Sequence, residues 1–159
     1  MKQACYRADK FLALLSCLLA APPLSALSAA PNPHQYCAQM GNDDAPRAVP
    51  RSLAVPIRRL FGISGKYALE TSYYRCAGGH VMLCTTGANL SCGKADTSTT
   101  LPAAGDWCRS NPNSDIPMVV TGHDTAFVWR CVGTVATAGD KIGTIDARGF
   151  FSENWKELK

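Results

Sequence analysis

The residues of this chain best suited to chemistry are its eight cysteines, its three histidines and a scatter of aspartates, and their spacing limits what each can do. Gly122-His123-Asp124-Thr125 is the strongest polar cluster, because an imidazole beside a carboxylate on a loop can shuttle a proton. Adjacent turn residues seldom aim at one atom, however, and an Asp in a turn commonly caps backbone N–H groups. The cluster therefore reads first as turn chemistry and second as a site. No Gly-x-Ser-x-Gly elbow is present, and Asp96, Asp106, Asp115, Asp124, Asp140 and Asp146 fall mostly in turn-like contexts. Spacing alone brings no two of these to the separation that glycoside hydrolysis needs. Cys76-x7-Cys84-x7-Cys92 lacks the short gaps that put two thiolates on one zinc, so no metal and no cofactor is expected.

The elements that would position these residues begin after an export signal. Lys2, Arg7 and Lys10, the largely apolar run Phe11–Ala21, Pro22-Pro23 and small residues through Ala30 follow the grammar of a secretory signal peptide over 1–30. Cleavage is expected between Ala26 and Ala30. The apolar run is too short for a bilayer span, so no transmembrane segment is expected in the mature chain. Leu14-Leu15-Ser16-Cys17 has the look of a lipid-attachment site, but apolar residues continue past Cys17. Loss of the leader removes Cys5 and Cys17 and leaves Cys37, Cys76, Cys84, Cys92, Cys108 and Cys131. Six cysteines in an exported chain imply three disulfides, with fifteen connectivities open and no free thiol to act with His80 or His123. The formal charge falls from +4 to +2 with the leader, which makes no demand for nucleic acid. A periplasmic or secreted location follows.

Asn32-Pro33 ahead of His34–Met40 and Gly41 predicts a short helix carrying Cys37. Residues 47–66 hold Arg47, Arg51, Arg58, Arg59 and Lys66 with no acid, and Pro50 and Pro56 divide them. The stretch reads as an irregular basic arm: a solvated connection, or a contact for an acidic partner. With the helix it makes an N-terminal segment, 31–66, of one domain whose β-rich core is 67–159. There, Gly78-Gly79 between Tyr73–Cys76 and Val81–Cys84 predicts a two-residue hairpin. In that register Cys76 lies opposite Val81 and Cys84 opposite Tyr73, so the two sulfurs leave opposite faces and do not bond to each other.

Further on, Thr100 is expected to cap a helix over 101–109, Ile116–Thr121 reads as a buried strand, and Thr125–Val132 reads as a central strand because both its faces are partly apolar. Another strand is expected around Ile142–Ile145, and a helical turn or two from Ser152 with Trp155 inward. The fold class is a small, mainly β, disulfide-stapled antiparallel domain with short helices. Tyr73 beside Arg75, the His123-Asp124 turn, and Arg130 pointing away from Cys131 are the candidate binding residues.

Two segments also carry a resemblance. Asp115-Ile116 through Asp124, Ala126, Trp129 and Cys131 resembles the C-terminal part of the methylamine dehydrogenase light chain, and Gly78-Gly79 followed by Cys84 and Gly87 is similar to another part of it. The resemblance implies an exported, disulfide-dense β subunit. That family builds a quinone from two cross-linked tryptophans, whereas this chain has Met118 at the matching C-terminal position and no Trp between Gly87 and Trp107. The Tyr-x-Cys-x-x-Gly start at Tyr74 is similar to bacterial periplasmic inhibitors of C-type lysozyme. The function expected is an exported binding or accessory protein of the cell envelope whose partner is another exported or envelope protein. A light-chain-like redox subunit without the usual quinone positions is the alternative.

Overall fold

The computed structural model describes residues 32–87 and 90–159, and the predicted leader lies outside them. Helix α1, Pro33–Met40, begins where Asn32 Oδ1 accepts the His34 N–H at 2.9 Å, and it ends at Gly41, whose positive φ of 68° lets its N–H close on Cys37 O. A strand then replaces the expected irregular chain. β1, Asp43–Ala48, tolerates Pro46 because it is an edge strand whose register shifts between Asp43 and Arg47.

Residues 51–71 correct the expectation of an irregular arm. A 3-10 turn, Arg51–Leu53, leads into α2, Ala54–Phe61, and α3, Gly65–Thr71, follows. Pro50 precedes the turn and Pro56 is the third residue of α2, so both sit where the backbone N–H has no obligatory helical acceptor. Leu53, Ile57 and Ala68 are the buried side chains that hold these short helices to the sheet.

The hairpin forms in the predicted register. β2, Ser72–Ala77, and β3, His80–Thr85, pair Cys76 with Val81 and Tyr73 with Cys84 across Gly78-Gly79, both with positive φ. Tyr74, Cys76, Val81 and Leu83 pack with Cys37, Leu53, Ile57 and Ala68. On the other face Tyr73, Met82 and Cys84 pack with Cys92, Phe150 and Trp155. Both faces are covered, which accounts for the nearly continuous apolar writing of the hairpin.

α4, Pro102–Ser110, starts from Leu101 rather than from a Thr100 cap. Instead of a strand at 116–121, Ile116 makes one backbone bond to Trp129 O, and the chain then turns into the four-residue α5, Met118–Thr121. Pro117 has no N–H to continue the pairing, and Gly122, at φ 82°, ends the turn. β4, Phe127–Val132, and β5, Val135–Lys141, form a separate two-stranded ribbon, so β4 is not a central strand of a larger sheet. Trp129 and Cys131 face α4, while Val128 and Val132 are 53% and 60% exposed. Their branched side chains reflect strand preference rather than burial. No strand spans 142–145, where Ile145 makes only an isolated bridge to Phe151. At the tail, a 3-10 turn, Ser152–Asn154, with Trp155 buried after it, gives way to β6, Lys156–Glu157, which completes the order β1-β2-β3-β6.

All six described cysteines pair, as Cys37–Cys76, Cys84–Cys92 and Cys108–Cys131, chemistry that suits an oxidising compartment. The first closes 39 residues and the second eight. Loop-closure entropy ranks them at about 4 and about 2.5 kcal/mol respectively. Replacing Cys37 and Cys76 together by Ala is therefore expected to lower the urea unfolding free energy more than replacing Cys84 and Cys92 together.

Near the first bridge, Asp43 accepts from Tyr36 Oη at 2.6 Å, Arg47 Nε at 2.7 Å and Ala45 N at 3.1 Å. The Tyr36 bond above all, then Arg47, holds its carboxyl down at about 2. A carboxylate depressed in the folded state adds stability above its ordinary pKa that is lost as pH falls through the folded value. Stability is thus expected to decline between about pH 4 and pH 2. Tyr36→Phe should make that decline shallower in urea midpoints measured against pH.

Candidate functional site

Two places concentrate polar groups, and they differ in what they can reach. The first is buried. Arg75, on β2 and opposite Met82, is only 2% exposed, although the sequence reading places it on an open surface beside Tyr73. Its Nη2 donates to Asp146 Oδ2 at 2.6 Å, and its guanidinium carbon lies 4.0 Å from the Phe150 ring centre and 4.9 Å from that of Trp155. Nε and Nη1 have no hydrogen-bond acceptor, so the aromatic faces are the electron-rich surfaces set against them. Asp146 in turn accepts the N–H groups of Arg148 and Phe150 through Oδ1, which closes the turn leading to Phe150. Burial pushes the Asp146 pKa up, but these two N–H groups and Arg75 outweigh it and leave the carboxyl below its ordinary range. Arg75 therefore holds the sheet to the C-terminal segment and presents nothing to a macromolecular partner.

The second place is a cavity of about 200 Å³ beside His123. Its apolar walls are Leu90, Met118, Ile142 and Phe151, and its polar groups are His123, Thr125, Glu153 and Asn154. Each comes to the wall for a local reason. The α5 turn ends at Gly122 and sets His123 Nδ1 2.9 Å from Met118 Sδ. Thr125 Oγ1 accepts the Trp129 indole N–H at 2.8 Å, which fixes it to β4. Asn154 Nδ2 donates to Ser91 O, tying the tail to the segment that carries Leu90. Glu153 Oε1 accepts the Thr144 N–H at 2.8 Å, the main reason its carboxyl lies below the ordinary value. Gly143 lets this carboxylate and the Phe151 ring close on the backbone, since a Cβ there would stand 3.3 Å from each.

The five candidate residues from sequence do not form one site. His123 lines the cavity; Asp124 does not, and its carboxylate approaches Gly93 instead. Tyr73 lines a separate shallow depression with Pro46, Thr86 and Ser91. Arg130 stands exposed on the outer side of β4, opposite Thr137. The residues that sequence reasoning missed, Leu90, Met118, Ile142, Phe151, Glu153 and Asn154, come from four separated segments, and nothing local in any of them marks the convergence. The three tryptophans are occupied structurally: Trp107 Nε1 donates to Ser114, Trp129 Nε1 donates to Thr125, and Trp155 packs edge-on to Phe150. Among the described residues no three His, Cys, Asp or Glu side chains converge, and every described cysteine is bonded.

No family model matches the chain, and neither a curated protein nor a solved structure matches it significantly.

Breaking a buried ion pair from one side strands the other charge. Arg75→Ala is expected to cost about 3 kcal/mol, the low end for such pairs because Asp146 is 27% exposed. Arg75→Lys should recover only part of that loss, since an ammonium cannot stack flat against the Phe150 ring while donating to Asp146. Urea unfolding of the two variants beside the parent measures both effects.

Proposed function

We propose that this protein is an exported binding or accessory module of the cell envelope, and that the cavity beside His123 receives an apolar side chain from another exported or envelope protein. The observation that carries this reading is the cavity itself: an apolar pocket with a few convergent polar groups and an exposed apolar surround. At about 200 Å³ it is smaller than the ~300 to 1,000 Å³ of drug-sized sites, which fits one side chain or ring better than a metabolite. Leu90, Ile142 and Val119 nearby are 46%, 51% and 89% exposed, a grouping that invites protein contact. A filled pocket at the centre of an interface is where binding energy concentrates. The leader-like N-terminus and the three disulfides support the exported setting. His123 and Glu153 supply polar contacts at the wall.

The test is affinity for a partner isolated under oxidising conditions from envelope fractions. Ile142→Asp and Met118→Trp, one charging and one filling the cavity, are each expected to weaken binding by about 2 kcal/mol, roughly thirty-fold, with thermal stability unchanged. Arg130→Ala should leave it alone. Equal affinity in all four proteins, or no partner retained by the parent, overturns the reading. Intact mass separates the redox alternative: a binding module shows only the six hydrogens lost to three disulfides. Inserted oxygen or a cross-link at Trp107, Trp129 or Trp155 would mark a redox subunit.

A further inference from the structure

We infer that the exposed side of α2, with the 3-10 turn before it and the start of α3, docks on an anionic lipid bilayer. Residues 45–69 contain Arg47, Arg51, Arg58, Arg59 and Lys66 and no acid. Arg47 is tied to Asp43, and Lys66 faces Glu70 across one turn of α3 at 3.3 Å. Arg51, Arg58 and Arg59 are exposed and make no ion pair among the described residues. Helical spacing puts Arg51, Val55 and Arg58 along one side with Arg59 beside them, while Leu53 and Ile57 bury the opposite side in the core. Lys156 of neighbouring β6 donates to Leu60 O at the end of α2, which brings one more cation to this side, while Glu157 beside it pairs with His80.

Helix energetics do not account for this charge. Arg58 and Arg59 suit the negative end of the helix dipole, but Arg51 lies at the positive end, where an acid is favoured and the first turn has none. A positive charge there is retained against local preference, which an anionic surface outside the molecule would offset. The patch also includes Val55, 68% exposed, and Tyr67, 59% exposed. A surface that mixes the guanidinium groups and Val55 of α2 and its preceding turn with Tyr67 of α3 matches the headgroup layer, where phosphates meet arginine forks and tyrosine sits between water and lipid. The cavities beside His123, α4 and Tyr73 are lined by other residues, so the arginines lie on open helix surface, a shape that an extended layer of anionic headgroups can cover. The surface is distinct from the His123 cavity, so the two assignments stand or fall separately.

Co-sedimentation of the full oxidised chain with vesicles tests it, using phosphatidylcholine alone and phosphatidylcholine mixed with phosphatidylglycerol. The parent is expected to bind the anionic vesicles at about 0.05 M salt and to release at about 0.5 M. R51E/R58E/R59E should lose at least about tenfold in affinity for the anionic vesicles while keeping its disulfides and its near-ultraviolet circular dichroism. The first 30 residues are apolar and net basic, and because they are common to the parent and the triple variant their contribution cancels in that comparison. Equal binding to both vesicle types, or an unchanged triple variant, overturns the proposal. Binding of the parent to polyglutamate but not to anionic vesicles would assign the face to an acidic protein instead.

Discussion

The structure depends on one charge placed where charge is costly. Arg75 leaves β2 on the face away from the helices and is enclosed there by Phe150, Trp155 and Asp146. The C-terminal segment has little regular structure of its own beyond two residues of β6, so it needs a partner that fixes both direction and depth. The guanidinium supplies both: one nitrogen selects a carboxylate, and the flat group packs against two rings that meet edge to face. Removing such a charge to an apolar residue of equal shape can leave a fold as stable, and its value then lies in specifying a single packing. Here the specified packing sets the turn that leads to Phe151, Glu153 and Asn154, and through them one wall of the cavity.

Around that centre the chain divides its apolar groups into three clusters, each with its own disulfide. Cys37–Cys76 joins α1 to the helix-covered face of the sheet, Cys84–Cys92 belongs to the opposite face, and Cys108–Cys131 joins α4 to the ribbon. A domain of this size that spreads its burial over three small cores gains less cooperativity from each, and cross-links compensate by restricting the unfolded chain. The cavity lies where segments from more than one of these regions meet. Its walls are held by backbone and side-chain bonds rather than by a continuous element.

What the sequence revealed was local. The Gly78-Gly79 hairpin, its register and the separation of Cys76 from Cys84 were legible because strand alternation and a two-residue turn leave few choices. The caps of α1 were legible for the same reason. The helices at 51–71 were hidden by Pro50 and Pro56, which break helices in their interiors and are accepted at their starts; only tertiary contact through Ile57 and Ala68 decides between these. Pro117 hid α5 in the opposite sense, by ending a strand that Ile116, Val119 and Val120 promise. The burial of Arg75 was invisible because its neutralising carboxylate is 71 residues away. His123 was marked by residue type, but the rest of its cavity is assembled by long-range contacts that no spacing records.

The small ring closed by Cys84–Cys92 also holds one part of the cavity wall. Leu90 and Ser91 lie within it, one lining the cavity and the other receiving Asn154. In a reducing environment the ring opens, and what still places this segment is the pair of backbone bonds between Gly87 and Leu90 and the Asn154–Ser91 bond. The cavity wall is then less constrained, so the geometry of the cavity depends on the redox state of its surroundings. A single sulfur–sulfur bond thus couples the shape of the cavity to oxidation, and the cavity reaches its final form only when that bond has closed.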